Sequence, residues 1–446
     1  MDEEVKDVVE ESNKRERSLN ILFLGDVHCG KSTVVRAVMP VNDLINRRRI
    51  NGSVQSTIRS NIERTHLFYL GDSDYIDEEG LIATKKENLE LVIHDHPAIK
   101  KYRPLDDIIS KLPILDVIVF ILLPVKTEFQ ASFKDVECIL ECLRIAQMFE
   151  TPNLIVAVNE MGSEEIDWNK NYYEGAKSFF DQSLPNNKFT LINNCMWIPI
   201  SGLTRCNIDR PIKPEVCNWY EGPTLMELFE SINLPEEDEQ ESLRMLVLYT
   251  ESKTNLNVCV KIHSGRIKNK ETIMVMPYKI TAQIKSIYSI NNQSLESAKA
   301  GNVVILGFKE VLTTDYIHKG CILCDTIDQC PTFRTFLADV KFISESNVVP
   351  FFFAGGNWKM HLHTMEEECV VKRILKVRKT KDGEIKNTKF ARRGEYIRCI
   401  ISTKRIIAAE KYSVMKRLGK FILRNMDSTA AEGIIFKYKP ILEGVQ

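Results

Sequence analysis

The stretch Gly25-Asp26-Val27-His28-Cys29-Gly30-Lys31-Ser32 decides the fold, because it fits the phosphate-loop pattern G-x-x-x-x-G-K-[ST] at every fixed position. The apolar run 21–24 predicts a buried strand before the loop, and 33–38 predicts a helix after it. A strand, a glycine loop and a helix N-terminus turn backbone N–H groups toward one point. The stretch therefore predicts an anion site at the start of the chain's first domain.

Two side chains of this loop have expected roles at a nucleotide. Lys31 would reach the β- and γ-phosphates, and the Ser32 hydroxyl would ligate Mg²⁺. The whole predicted phosphate-binding set is Gly25, Asp26, Val27, His28, Cys29, Gly30, Lys31, Ser32 and Thr33. A chance match in an ordinary strand–turn–helix unit is the alternative, which the flanking patterns disfavour.

The length, composition and charge of the chain indicate which class of protein it is. A chain of 446 residues predicts two to four domains. A content of 44% hydrophobic and 27% charged residues is typical of a soluble globular protein. The net charge of −1 excludes a global field that would steer the chain to nucleic acid or membrane. No apolar run is long enough to span a bilayer, so no membrane partner is expected.

The cysteines indicate a reducing compartment. The chain has 12 cysteines and a highly charged N-terminus without a signal peptide, so we expect reduced thiols and a cytoplasmic location. Cys321, Cys324 and Cys330 have metal-like spacing. An alternating strand gives the same spacing and no second pair follows, so a metal site is the less favoured interpretation.

Hydrophobic patterning divides the chain into a charged tail, 1–18, and three domains. Between 19 and 235 apolar strands alternate with helical patterns, which predicts an α/β domain with a doubly wound, mostly parallel sheet. The predicted strands are 20–24, 89–93, 115–123, 153–158 and 196–200, with helical spacing at 133–149 and 172–184. After an acidic linker, short strands separated by turns predict two all-β barrels at 242–328 and 331–446.

Three further motifs each follow a predicted strand: Asp95-His96-Pro97-Ala98, Asn159-Glu160-Met161-Gly162 and Ser201-Gly202-Leu203. Their order and spacing are those of a guanine-nucleotide switch protein, and their chemistry is partly missing. With these motifs the sequence resembles the translational GTPases. Within them it is similar to the GTP-binding subunit of the eukaryotic peptide chain release factor, with elongation factor one-alpha and Hbs-type rescue factors as relatives. The strings that support this resemblance are 200–204, 219–223, 320–325, 361–364 and 418–424.

The resemblance implies a P-loop GTPase domain and two β-barrels, with GTP or GDP and Mg²⁺ as cofactors. It implies that Asp95 contacts Mg²⁺ through water and that Ala98 stands at the γ-phosphate-sensing position. It implies base contacts from Asn159, Met161, Ser201, Gly202 and Leu203. It also implies translation termination in the cytoplasm, in which the last barrel binds a class-one release factor. The ribosome is the other partner, and RNA is contacted only there.

The departures from the family pattern concern catalysis first. Ile99 stands at the position of the catalytic histidine, so no catalytic residue is assigned and hydrolysis is expected to be weakened or lost. His96 is a less favoured replacement. The Mg²⁺-binding threonine of the first switch has no counterpart, and Ser73 and Thr84 are the nearest hydroxyls.

The base-reading motif departs as well. Glu160 replaces a lysine and Gly162 replaces the aspartate that pairs with guanine, which forfeits about 1–3 kcal/mol of hydrogen bonding. Glu164 or Asp167 could compensate. A second hypothesis is therefore a pseudo-GTPase adaptor, or a ribosome rescue or idling factor. Delivery of aminoacyl-tRNA is a weaker third.

Three other features of the sequence have a structural interpretation, and two of them also have a functional one. The basic run 371–381, continued by Lys386, Lys389, Arg392 and Arg393, predicts a solvated hairpin or a contact with RNA phosphates or an acidic partner. Arg47–Arg49 predicts a solvated helix face. His361 and His363 share one strand face, so a metal pair is an alternative to a core or partner-facing role.

Overall fold

A computed structural model shows the chain as an α/β domain followed by two β-barrels. It describes residues 17–26, 28–38, 68–70, 79–86, 89–95, 105–125, 136–149, 153–183, 195–233, 241–252, 256–290, 293–343, 350–380, 383, 385–386, 388–425 and 428–439. Among the described helices, none is long and apolar enough to cross a bilayer.

The first domain is built on a seven-stranded sheet with the order β2-β3-β4-β1-β5-β6-β7. Its strands are β1 (Arg17–Gly25), β2 (Phe68–Leu70), β3 (Glu79–Lys86), β4 (Leu89–Asp95), β5 (Val117–Leu122), β6 (Asn153–Val158) and β7 (Met196–Pro199). The neighbouring pairs β4-β1, β1-β5, β5-β6 and β6-β7 are parallel. Strand β3 pairs with β2 and β4 in antiparallel fashion. The predicted mostly parallel sheet is confirmed, and β2 and β3 add an antiparallel edge that was not predicted.

Helices pack on this sheet because each presents an apolar stripe. They are α1 (Lys31–Val38), α2 (Asp106–Lys111), α3 (Val136–Met148), α4 (Lys170–Ser183) and α5 (Leu225–Ser231), with a 3-10 turn at Leu112–Ile114. The residues of β5 are all buried, as expected for a central parallel strand covered on both faces. The predicted helical windows correspond to α3 and α4.

The second domain is a closed barrel in which β11 pairs with both β16 and β12. The ring order is β11-β16-β8-β9-β15-β12. The strands of this domain are β8 (Arg244–Ser252), β9 (Leu256–Ser264), β10 (Arg266–Lys268), β11 (Thr272–Met276), β12 (Ile280–Ser289), β13 (Ser294–Leu295), β14 (Ser297–Lys299), β15 (Val303–Phe308) and β16 (Ile322–Asp325). Closure removes the sheet edges that an open antiparallel sheet would expose.

The third domain closes in the same way through β19, which pairs with β24 and β20. The ring order is β19-β24-β25-β17-β23-β20. Its strands are β17 (Thr332–Phe342), β18 (Phe352–Phe353), β19 (Asn357–Leu362), β20 (Met365–Arg378), β21 (Ile385–Lys386), β22 (Phe390–Ala391), β23 (Tyr396–Ala408), β24 (Lys420–Asn425) and β25 (Ser428–Tyr438). The barrel interior is filled by buried aromatic and aliphatic side chains such as Phe333, Phe336 and Phe421.

Buried charges join the first domain to the second barrel. Arg424 on β24 is 3% exposed and pairs with Glu141 of α3 at 2.5 Å, and its Nε lies 3.5 Å from Asp106 of α2. The Lys359 ammonium of β19 lies 3.0 Å from the other oxygen of Asp106. His361 and Lys359, which hydrogen-bond to the Asp106 carboxylate, hold its pKa well below the usual range. The ion pairs attach the face of the first domain that carries α2 and α3 to the barrel.

Candidate nucleotide site

The phosphate loop lies where its sequence pattern requires, between the end of β1 and the start of α1. Gly30 has φ +79, a left-handed conformation that favours glycine. Its carbonyl accepts hydrogen bonds from the N–H groups of Thr33 and Val34, both at 3.0 Å, which begins the helix. Lys31 is 7% exposed, and the adjoining Ser32 side chain is exposed at the helix start. This arrangement presents a helix N-terminus to an anion.

Within the loop, the buried Cys29 side chain packs against Gly25. A Cβ at Gly25 would lie 2.5 Å from the Cys29 sulfur, so this approach requires glycine. Burial raises the pKa of the Cys29 thiol, which keeps it neutral. Asp26 is half-buried and His28 is exposed, while Val27 lies outside the described residues.

Asn159 joins the phosphate loop to the other strand ends. It follows β6 and is 2% exposed. Its side-chain N–H donates to the Cys29 carbonyl at 3.0 Å, and its side-chain oxygen accepts from the Gly202 N–H at 2.8 Å. One amide therefore holds the phosphate loop, the 159–162 loop and the 201–203 loop together, as the parallel topology predicts for adjacent carboxyl ends.

The 201–203 loop approaches α1 closely. A Cβ at Gly202 would lie 3.0 Å from Val34 Cγ2, so a larger residue would push this loop from the helix. Ser201 is buried, and Leu203 is 87% exposed at the rim of the site. Both loops that were expected to bracket a base thus lie beside the phosphate loop.

The structure corrects the expectation for the Met161 side chain. Met161 is fully buried in a cluster with Val125, Val158 and Tyr173. Its backbone N–H donates to the Ile200 carbonyl at 3.1 Å. Met161 therefore ties the two base loops together through its backbone, and its side chain belongs to the core.

At the carboxyl end of β4, Asp95 pairs in register with Gly80 of β3. Ala98 and Ile99 lie outside the described residues, as do His96 and Ser73. Thr84 pairs with Leu91, four residues before Asp95, which places it about 13 Å along the strand from this edge. Thr84 is therefore a poor substitute for the missing first-switch threonine.

The base-reading end contains a residue that sequence reasoning missed. A Cβ at Gly162 would lie 3.2 Å from Trp168 Nε1 and 3.3 Å from Ser201 Oγ. Trp168 is 6% exposed, so an indole occupies the space beside the missing aspartate. Glu160 has φ +65 and is exposed. Glu164 and Asp167 are exposed on the following loop. In the sequence, only the closeness of a tryptophan to Gly162 could have signalled this contact.

The two histidines predicted as a possible metal pair lie on the second barrel, away from the nucleotide site. His361 Nε2 faces Asp106 at 3.3 Å, whereas His363 Nε2 contacts the Ala408 carbonyl at 3.1 Å, so the two rings take different partners. Within the described residues, the only grouping with metal-ligand spacing joins His361 to Asp106 and Glu366. The Lys359 ammonium lies between those two carboxylates, 3.0 and 2.8 Å away, where a cation would sit.

The cysteine triplet is a set of buried thiols. Cys321 donates to the Tyr316 carbonyl and Cys324 to the Met274 carbonyl. Burial raises the pKa of each to about 11. The eleven cysteines whose side chains the structure describes are all free.

The basic run forms a hairpin, because β20 pairs with β21 in antiparallel register. Lys372, Arg373 and Lys376 are exposed on β20. Arg47–Arg49 lies outside the described residues.

Fold and site together define a P-loop nucleotide-binding domain that precedes two β-barrels, the architecture of translational GTPases. A family profile described as "GTP-eEF1A C-terminal domain-like" matches residues 335–436. The GTPase-like domain of S. cerevisiae Ski7, solved with GDP and inorganic phosphate, has the same fold. Its TM-score is 0.68 at 16% identity, with 96% of this chain and 99% of that chain covered.

The particular similarity is to proteins named "Eukaryotic peptide chain release factor GTP-binding subunit". The Dictyostelium discoideum protein is 26% identical over 97% of this chain and 78% of its own length. The Zygosaccharomyces rouxii protein is 24% identical over 94% of this chain. The chain spans 64% of the length of the latter. The predicted resemblance to release-factor GTP-binding subunits is confirmed.

Proposed function

We propose that this chain binds GTP and Mg²⁺ and delivers a class-one peptide chain release factor to the ribosome, with hydrolysis weakened or lost. The observation that supports it most strongly is Asn159, which holds both base loops against an intact phosphate loop. Because both of its buried polar atoms are hydrogen-bonded, this amide sets the relative positions of the loops that would contact phosphate and base.

The residues of the loop suit a nucleotide and its metal. Lys31 and the backbone N–H groups of 25–33 would hold the phosphates, and Ser32 and Asp95 would hold Mg²⁺, the latter through water. The metal would neutralise charge on the phosphates. Asn159, Ser201, Gly202 and the backbone of Met161 would place the base.

The second barrel is the proposed partner-binding domain. Its profile match and its resemblance to release-factor subunits support this assignment. The exposed lysines and arginine of β20 offer a cationic face for an acidic partner or for ribosomal RNA phosphates. We propose that the chain acts in the cytoplasm, with RNA contacts only on the ribosome.

A second candidate, a pseudo-GTPase adaptor or ribosome rescue factor, is favoured by the replaced base-reading residues. Capture of a purified class-one release factor tests both. Delivery as a switch predicts that Lys31→Ala abolishes GTP-dependent capture, whereas an adaptor would capture its partner equally with and without that substitution.

Hydrolysis is tested by GTP turnover with ribosomes and partner. We expect the wild type to stay at background and Ile99→His to raise the rate, because a histidine can orient the attacking water and isoleucine cannot. Ordinary family-level turnover by the wild type, unchanged by Ile99→His, would contradict the proposed loss.

A further inference from the structure

The base end of the candidate site has an indole N–H where the resembling GTPases have a carboxylate. Gly162 stands at the aspartate position, and Trp168 Nε1 lies 3.2 Å from where its Cβ would be. We propose that Trp168 reads the base as a hydrogen-bond donor, so that the site does not select guanine and accepts adenine nucleotides. This inference rests on the proposed nucleotide binding.

Trp168 is held in place from several sides. Its backbone N–H donates to the Met161 carbonyl at 2.8 Å. Its own carbonyl accepts from Trp219 Nε1 at 2.6 Å. Asp167 and Trp168 have φ values of 43 and 52, which non-glycine residues seldom adopt. The ring packs in the cluster that contains Tyr173. The indole edge beside Gly162 is therefore fixed, as a specificity-determining group must be.

The indole N–H has no acceptor within the part of the chain that the structure describes. Ser201 Oγ, the nearest side-chain oxygen at Gly162, lies within 3.5 Å of the Thr204 N–H. Although Trp168 is only 6% exposed as a residue, its Nε1 atom is not enclosed by the protein, so the N–H is open to a ligand. A ligand that places an acceptor beside Gly162 would satisfy it.

The pattern of donors and acceptors on the purine decides which base fits. Guanine presents N1–H and an exocyclic amine on the edge that an aspartate accepts, so an indole N–H would oppose donor to donor. Adenine presents N1 as an acceptor on the same edge. A donor at this point matches adenine, and the absence of a carboxylate removes the pairing that guanine needs.

Trp168 could instead be a core residue without a role in recognition. Trp168→Phe separates the two roles, because phenylalanine keeps an apolar ring and removes the N–H. Trp197→Phe is the matched control, since Trp197 packs against Phe180 and Tyr173 in the same domain.

The experiment measures Kd for ATP and for GTP by calorimetry on the full chain with Mg²⁺. We expect wild-type values within about tenfold of each other. Trp168→Phe should weaken ATP binding about three- to tenfold, as loss of one neutral hydrogen bond does, and should not weaken GTP binding, because the donor that opposes guanine is removed. Trp197→Phe should leave the ratio of the ATP and GTP Kd values unchanged.

A double variant tests whether the same position can be changed to prefer guanine. Gly162→Asp with Trp168→Ala makes room for a carboxylate and should favour GTP by at least about tenfold. A wild type that prefers GTP by more than a hundredfold would overturn the inference, as would a Trp168→Phe variant with an unchanged ratio. Neither result touches the proposed function. Failure to bind either nucleotide would overturn both.

Discussion

Two edges of the first domain differ in how their charges are matched. At the edge that meets the second barrel, Arg424 is buried between Glu141 and Asp106 and is paired with both. At the nucleotide edge, Glu160 stands where the resembling family has a lysine, and Gly162 leaves no carboxylate for the base. The charges that hold the domains together are therefore fully paired, whereas the residues that would recognise the base lack the expected lysine and carboxylate.

Helix α2 lies at the barrel edge. It begins at Asp106, whose carboxylate contacts Lys359 and Arg424 of the barrel.

The largest expected effect is at the barrel edge. Arg424→Ala leaves the partly buried Glu141 without its cation and Asp106 with Lys359 alone, so the free energy of unfolding should fall by about 3–5 kcal/mol in urea titration. Lys404→Ala is the control, because Lys404 and Glu368 form an exposed pair worth at most about 1 kcal/mol. Equal losses for the two variants would contradict the contrast between the edges.

The next largest effect should be a loss of stability in acid, at the buried His363 of the second barrel. Burial lowers the pKa of His363 to about 4, below its ordinary value of 6.5. The unfolded chain then binds the proton more readily, so this stability is full above pH 6.5 and is lost as the pH falls toward 4, by up to about 3 kcal/mol. His363→Asn tolerates the left-handed φ of 41 and should make the pH profile less steep. The remaining slope belongs to His263, because burial lowers its pKa to about 3. A wild-type profile that is flat from pH 7 to 4 would argue against this account.

Gly30→Ala tests the nucleotide edge directly. The new Cβ would lie 2.3 Å from Asn159 Nδ2 at φ +79, so it should separate the phosphate loop from the base loops and weaken GTP binding at least about tenfold. Gly394→Ala is the matched control: Gly394 has φ +84, with no atom near its Cβ position. Gly394→Ala should lower the free energy of unfolding by about 1 kcal/mol and leave the affinity for GTP unchanged.

The smallest expected effect is at Glu160. Its carboxylate oxygen lies 3.7 Å from the Cβ position of Gly30, close to where phosphates would bind. Glu160→Lys should strengthen GTP binding several-fold at low salt, about 0.5–1 kcal/mol, and the gain should shrink as salt screens it. Glu160→Gln should give part of the gain. An unchanged affinity for both variants would show that this charge does not face the ligand.

The phosphate loop, the five parallel strands and both barrels could be predicted because their signals are local. A glycine pattern, apolar runs and turn spacing each lie within one short window. The family resemblance then supplied the roles of Asp95, Asn159 and Ser201.

The contacts that distinguish this chain could not be predicted in that way. Trp168 reaches Gly162 only because two successive residues take left-handed conformations. Arg424 meets Glu141 across 283 positions of sequence. Met161 was predicted to contact the base, and the core position of its side chain follows from the loop's return to Ile200. Tertiary packing decided each of these positions.

The central claim is that the phosphate loop binds a nucleotide with Mg²⁺. Its most direct test is calorimetric titration of the full chain with GTP, with and without Mg²⁺, beside Lys31→Ala. We expect saturable binding that weakens without Mg²⁺ and falls at least about thirtyfold in the variant, because a charged partner of the phosphates is removed. Equal binding by wild type and Lys31→Ala, or none by the wild type, would contradict it.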